Sequence, residues 1–424
     1  YNQGRFIEAV ESYQKAVILE PDFADAHYNL GNALKHTGDL KKAIGSYKAS
    51  IAIKSDDAEV LNNYGDALSD YGDFDQAVEV YAKALRIAPG LAGVNTKMSS
   101  VIEMKTEIEK IVTDYSKFSK LEIGSANTIN FTGDVLQTKG YMDAAIESYK
   151  KAIKIKPDYA EAYHNMGNAL KAKGELDAAI DSDKQALKIK PDYAEAYHNM
   201  GLSLQEKGDL GAAIHNYKQA LKIKPDYAEA YLNVGKVLQT KGNVDAAIHN
   251  YKQALRIKPD NVEPYVNIGT TLHFNGKLEE AIDSYKQALK IKSDYAVAHL
   301  NLSFAYLNSG KLEEGLDEYE WRWQTAGFLQ AKRHFSQPFW DGNKSLKGKR
   351  ILLWCEQGIG DTINWSFALS LLASQAEHCI LECQEKLVPL FARSFPNVEV
   401  KPENRSLDTE RDDFDFHMPM GSIF

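Results

Sequence analysis

Seven asparagines share one phase of a 34-residue spacing: Asn29, Asn63, Asn165, Asn199, Asn233, Asn267 and Asn301. A primary amide both donates and accepts, so a row of them can pair with the backbone of an extended peptide whatever its side chains. Asparagine has no propensity advantage inside a helix, which argues for a specific task at each position. The competing reading is that each amide bonds a neighbouring helix and fixes packing. A second group with chemical potential is the turn Gln357-Gly358-Ile359-Gly360-Asp361, which follows an apolar run and opens a helix. Free N–H groups at a helix start suit an anionic substrate, making Gly358 and Gly360 an anion-binding loop, and Asp361 could cap the helix. A dinucleotide fingerprint would want a third glycine where Ile363 stands, although Glu382 lies near the place of a ribose acid. The Gly-Lys-Ser/Thr of a phosphate loop is missing. Cys379 and Cys383 lie four apart on one face of an expected strand, without the second pair that a zinc site needs, so they read as buried cysteines. His164 and His198 hold equivalent positions and read as polar lining of a groove, not as metal ligands. No metal or cofactor is expected in this chain.

These groups must be positioned by a repeat. Glycines recur at Gly31, Gly65, Gly133, Gly167, Gly201, Gly235 and Gly269, with alanines such as Ala43, Ala77 and Ala145 twelve residues later. Tyr47, Tyr81, Tyr149, Tyr217, Tyr251 and Tyr285 follow four beyond the alanines. A fixed period of 34 is that of the tetratricopeptide (TPR) solenoid, a right-handed superhelix of helix pairs. Small Gly and Ala residues let the helices of a pair approach, and the tyrosine is expected to fill the space between units. Asp183 replaces that tyrosine, so Asp183→Tyr is expected to stabilise the array by roughly 1–2 kcal/mol. Residues 92–125 keep the length but carry Ser99 and Ile111 at the glycine and alanine phases, and read as a drifted helix pair or, as the alternative, a bend or special contact in the superhelix. The last unit ends in Tyr319-Glu320-Trp321-Arg322-Trp323, and with Arg322 in an alanine position this unit is expected to cap the stack.

The division expected is an array over 1–325 (a half repeat and about nine repeats), a connector over 326–348, and a partial α/β segment over 349–424. Strands are expected at 349–354, 379–383 and 398–401, with a further one near 414–418, and helices from the glycine turn to about 375 and over 385–395. The fold class is mainly α, followed by a partial Rossmann-like α/β segment.

Residues 1–325 resemble the TPR portion of O-linked N-acetylglucosamine transferase, whose repeats use asparagine at this phase to hold substrate polypeptide. The YEWRW run, the PFWDG connector and EQGIGDT resemble bacterial TPR-linked glycosyltransferases. From Arg350 onward the chain is similar to the N-terminal domain of the heptosyltransferase family, a GT-B fold. That resemblance implies Asp361 as the base for an acceptor hydroxyl and a nucleotide sugar as donor in a longer parent protein. A GT-B enzyme binds its donor mainly in a second α/β domain, for which no residues remain, so this chain alone is expected to be inactive. Other TPR proteins grip a chaperone's carboxylate tail with a lysine just before the asparagine. Here that place holds Tyr28, Asn62, Thr96, Asn130, His164, His198, Leu232, Val266 and Leu300, which disfavours such a clamp.

The 424 residues are 44% hydrophobic and 26% charged, enough to bury a core, and the net charge of -9 argues against nucleic acid as a partner. Three cysteines cannot build a disulfide framework, and no apolar run is long enough to span a bilayer. The expected setting is cytoplasmic, and the expected partner is a protein or peptide. The alternative function is a pure interaction scaffold with a non-catalytic α/β segment.

Overall fold

A computed structural model describes residues 3–329, 331–356, 358–405 and 411–422. The chain packs as two compact units, 1–230 and 231–424, whose boundary falls inside helix Ala228–Thr240.

The first unit opens on helix Gln3–Leu19 and continues as antiparallel-sized pairs of short helices: Ala24–His36 with Leu40–Ile53, and Ala58–Tyr71 with Phe74–Ile87. After an interruption come Ala126–Thr138 with Met142–Ile155, Ala160–Ala172 with Leu176–Ile189, and Ala194–Glu206 with Leu210–Ile223. Each pair turns at a glycine of positive φ: Gly38, Gly72, Gly140, Gly174 and Gly208, at 78° to 90°. That backbone conformation costs glycine nothing and other residues about 1 kcal/mol or more. Asp39, Asp73 and Asp209 then cap the second helix by accepting a backbone N–H.

The tyrosine seat differs from expectation. Each ring lies on the phase glycine of its own pair, because a Cβ there would come within 2.7 Å of the Tyr47 ring at Gly31, and 2.5 Å of Tyr81, Tyr149 and Tyr217 at their glycines. The hydroxyls are anchored too: Tyr47 donates to Asn32, Tyr81 to Asp66 and Tyr149 to Asp134, at 2.7, 2.7 and 2.8 Å.

Residues 92–125 are not a drifted pair. They form one helix, Val94–Ser119, ending at Lys120 with φ 55°. The turn-glycine phase falls here on Thr106, which stays helical, so the chain runs straight through the place where the other units reverse. The flanking pairs then touch directly. Phe74 meets Tyr141 edge-on at 5.0 Å, and a Cβ on Gly72 would lie 2.5 Å from that of Ala144.

The second unit continues the pairs, with Val244–Ile257, Val262–Phe274 and Leu278–Ile291, then Ala296–Asn308 and Leu312–Tyr319. A 3-10 turn, Glu320–Gln324, leads on to a four-stranded parallel sheet. Its strands are β1 (Arg350–Trp354), β2 (His378–Cys383), β3 (Glu399–Pro402) and β4 (Phe416–Pro419), in the order β3-β2-β1-β4. Leu353 stands opposite Leu381 on one side and Met418 on the other. The apolar run of β1 is buried on both faces, as a parallel strand requires. Ile351 and Leu353 pack with Cys379, Leu381 and Cys383, while Leu352 and Trp354 pack with Ile380 and Phe414. The helix after β1 is broken: Ile359–Trp365, a 3-10 turn at Ser366–Ala368, then Leu369–Gln375. After β2 a 3-10 turn, Glu385–Leu387, runs straight into helix Val388–Ser394, over the stretch expected to be helical.

Arg322 stands at the end of the last helix pair. It is fully buried and joins the last helix pair to the sheet segment through Glu356 and Ser422.

Candidate functional site

Two sets of groups have the geometry to bind something, one along the pairs and one at the carboxyl end of β1.

The amides at the asparagine phase reach back to the preceding pair. Asn63 Nδ2 donates to the Tyr28 hydroxyl at 2.8 Å and Asn32 Oδ1 at 3.4 Å. Asn165 Nδ2 donates to Asp134 Oδ1 at 2.9 Å and Asn130 Oδ1 at 3.4 Å. Lys97, which interrupts the asparagine series, makes the corresponding contact to Asp66, at 2.9 Å. The column Asn32, Asp66 and Asp134, one residue past the phase glycine, is thus the acceptor row that sequence reading did not single out. Asn29, Asn63, Asn165, Asn233, Asn267 and Asn301 are half-buried, whereas Asn199 is buried. Asn199 Nδ2 donates to Asp183 Oδ2 at 2.6 Å, and its Oδ1 is buried without a partner among the described residues, as is Asn267 Nδ2.

Asp183 is fully buried over Gly167, with His164 Nδ1 3.0 Å from its Oδ1. Burial raises its pKa against the opposing pull of His164. The carboxylate in the tyrosine seat therefore has two partners, one of them a residue expected to line a groove. His198 is half-buried between Tyr217 and Tyr227, with ring centroids at 5.5 and 4.8 Å, and burial lowers its pKa to about 4.

At the carboxyl end of β1, in the second unit, a cavity of about 750 Å³ is lined by Tyr319, Phe328, Glu356, Gly358, Asp361 and Trp365, among others. Asp361 is exposed and stands in the first turn of helix Ile359–Trp365, which has no side-chain cap. The Thr362 hydroxyl fixes the turn, within donating reach of the Gly358 carbonyl at 3.0 Å or of Gln384 Oε1 at 3.2 Å. Gly358 and Gly360 are exposed; Gln357 lies outside the described residues. Glu356 is the group sequence reading passed over. Its side chain is 2% exposed and its Oε1 meets Arg322 Nη2 at 2.9 Å, while its Oε2 is buried with no partner among the described residues. Burial pushes it up to about 7, against the pull of Arg322. Among the described residues no lysine, arginine or histidine lines the cavity, and the side chains that do line it include the carboxylates of Glu356 and Asp361. Glu382, the residue near a ribose acid's place, is not in the cavity. It is buried in ion pairs with Arg333, at 2.7 Å, and Arg411. Cys379 and Cys383 are buried thiols whose pKa values burial pushes up to about 12 and about 11.

Two sequence-family models match. One, described as TPR repeat, covers 1–38, 133–174, 167–208, 203–242, 240–276 and 271–310; the other, described as tetratricopeptide repeat, covers 22–89. No curated protein matches the chain. Among solved structures, MamA is 32% identical over 39% of this chain and 96% of its own, with a TM-score of 0.37. YrrB, whose structure is described as a TPR protein with an unusual peptide-binding site, is 21% identical over 47% and 98%, with a TM-score of 0.37. The APC/C hetero-tetramer Cut9-Hcn1 is 14% identical over 76% and 80%, with a TM-score of 0.43.

Proposed function

Because the chain belongs to the tetratricopeptide repeat family, we propose that its helix pairs hold a protein or peptide and that the α/β segment acts on, or is addressed by, that partner. The observation that carries this is the row of half-buried amides at one phase. In Asn63 and Asn165 the N–H group is fixed on the preceding pair, which sets the orientation of the carboxamide. An amide oxygen has two lone pairs, so a held carboxamide can still accept from a peptide backbone. Pre-set orientation lowers the entropy lost on binding. Asn199 is the exception, since its amide is engaged with Asp183.

The test is a triple replacement of Asn63, Asn165 and Asn233 by alanine in the full chain, titrated with a peptide selected against the unaltered protein. Several-fold weaker binding with unchanged helical content is the expected result. A parallel loss of helicity and affinity would show that the amides only hold the pairs together.

Within this reading, 1–325 is the recruiting array, 326–348 a connector and 349–424 a glycosyltransferase-type segment of GT-B kind, with Asp361 as base toward an acceptor hydroxyl. A parallel sheet whose neighbours diverge from β1 places its ligand crevice at the carboxyl end of that strand, where Asp361 stands. With no basic group among the described residues that line the cavity, the phosphates of a nucleotide sugar would be held elsewhere. In a full-length enzyme, Asp361→Asn should abolish transfer and leave peptide binding by the helix pairs intact; turnover near the unaltered level removes Asp361 from the chemistry. The scaffold reading draws on the same cavity, whose acidic and aromatic walls fit binding without transfer.

A further inference from the structure

The cavity at the end of β1 combines three features that none of the repeats requires. Glu356 presents a buried carboxylate oxygen with no hydrogen-bond partner among the described residues, although its other oxygen is tied to Arg322. An oxygen left so is costly, at about 1–3 kcal/mol, unless something donates to it. Asp361 adds a second, exposed carboxylate, while Arg322 beneath is fully buried and already shared between Glu320 and Glu356. The walls are aromatic: Tyr319, Phe328 and Trp365. Carboxylates beside aromatic side chains attract a cation through charge and, at an open ring face, through the quadrupole. Beside the cavity runs an exposed apolar stripe, Ile359, Ile363, Phe367 and Leu371, which meets it at Phe367.

We infer that this cavity takes the cationic end of a lysine or arginine side chain on a polypeptide, whose apolar neighbours lie along the Ile359–Leu371 stripe. Orphaned oxygen, excess negative charge and ring walls select the ammonium or guanidinium group; the stripe selects a polypeptide over a free amine. This deepens the reading that the chain receives a polypeptide, and it rests on that reading only for the source of the cation.

The experiment is calorimetric titration of the full chain with N-acetyl-argininamide, methyl glucoside and inorganic phosphate, and with a leucine-flanked arginine peptide beside its citrulline counterpart. The arginine compounds should bind, with the peptide tighter than the free residue by about tenfold or more. The citrulline peptide, the glucoside and phosphate should not bind. Glu356→Gln and Asp361→Asn should each weaken the cation by several fold; Asp361 is exposed, so its variant tests the idea even if the Glu356 variant folds poorly. Binding of methyl glucoside or phosphate in place of the cation would overturn the proposal, as would cation binding untouched by both variants. A peptide no tighter than the free residue would overturn its polypeptide source. Retained peptide binding dependent on Asn63, Asn165 and Asn233 would leave the amide reading standing in any of these cases.

Discussion

At Asp183 a carboxylate occupies the seat that a tyrosine ring fills in neighbouring pairs, and His164 and Asn199 close around it. Restoring the ring would bury an aromatic worth roughly 1.5–3 kcal/mol. It would also strand two buried polar partners at about 1–3 kcal/mol each. The losses outweigh the gain, so Asp183→Tyr should destabilise the protein by about 1 kcal/mol, reversing the expectation drawn from the repeat alone. Adding His164→Asn, the residue that Asn130 supplies beside Tyr149, should recover most of it. Denaturant midpoints of the three proteins decide this; a Tyr variant above the unaltered midpoint would mean the network contributes nothing. Glu356 offers a second test, through pH. Burial raises its pKa from the ordinary 4.5 to about 7, so between those values the folded chain keeps a proton that the unfolded chain has released. Its contribution to stability is therefore fullest below 4.5 and is lost as pH rises through 7. Glu356→Gln should remove that slope, changing the variant-minus-unaltered difference by about 1–3 kcal/mol across the interval. A difference that stays flat with pH would show Glu356 ionised throughout. Neither residue could be judged from periodicity, since the repeat shows only that a position departs from pattern, not which side chains have moved in to meet it.

The helix pair itself was legible because Gly, Ala and Tyr recur where close approach demands them. The long helix Val94–Ser119 was not, because attention to the packing glycine and alanine left out the turning glycine seven residues further on. Thr106 in that place is the signal: a β-branched residue does not enter the left-handed region, so no reversal forms. The same swap should then be unfavourable in both directions. Gly174, at φ 78°, replaced by threonine should cost about 1–2 kcal/mol from backbone strain, since nothing lies within 4 Å to clash with a Cβ there. Thr106→Gly, in an exposed helix interior, should cost about 0.5–1 kcal/mol. Thermal or denaturant unfolding of each variant measures both. A stabilising Thr106→Gly would mean that the single helix is strained and that a pair is the preferred form of this unit.

At the scale of the molecule, sequence periodicity places the break near the end of the repeats, whereas compact packing places it earlier, inside Ala228–Thr240. The second unit thus holds helix pairs and sheet together, and Arg322 explains how. In the repeats its position is alanine, as at Ala254 and Ala288, each buried against a neighbouring helix. Here a guanidinium replaces the methyl, lies 4.4 Å from the Tyr319 ring and 4.6 Å from Trp323, and bonds Glu320, Glu356 and Ser422. Removing one partner of such a buried set leaves an uncompensated charge, at about 3–5 kcal/mol, whereas removing charge on both sides costs much less. Arg322→Ala, which restores the repeat's own residue, should therefore destabilise the second unit by that amount, although it looks conservative by pattern. Arg322→Met with Glu356→Gln should recover at least half of the loss. The readout is near-UV dichroism of the tryptophans, of which Trp323, Trp354 and Trp365 lie in the sheet segment's surroundings, followed against denaturant. If Arg322→Ala shifts that transition by less than about 1 kcal/mol, the guanidinium is a bystander. The join between pairs and sheet would then rest on contacts such as those of Tyr319 with Trp365, Trp323 with Trp354 and Ser422 with Glu320.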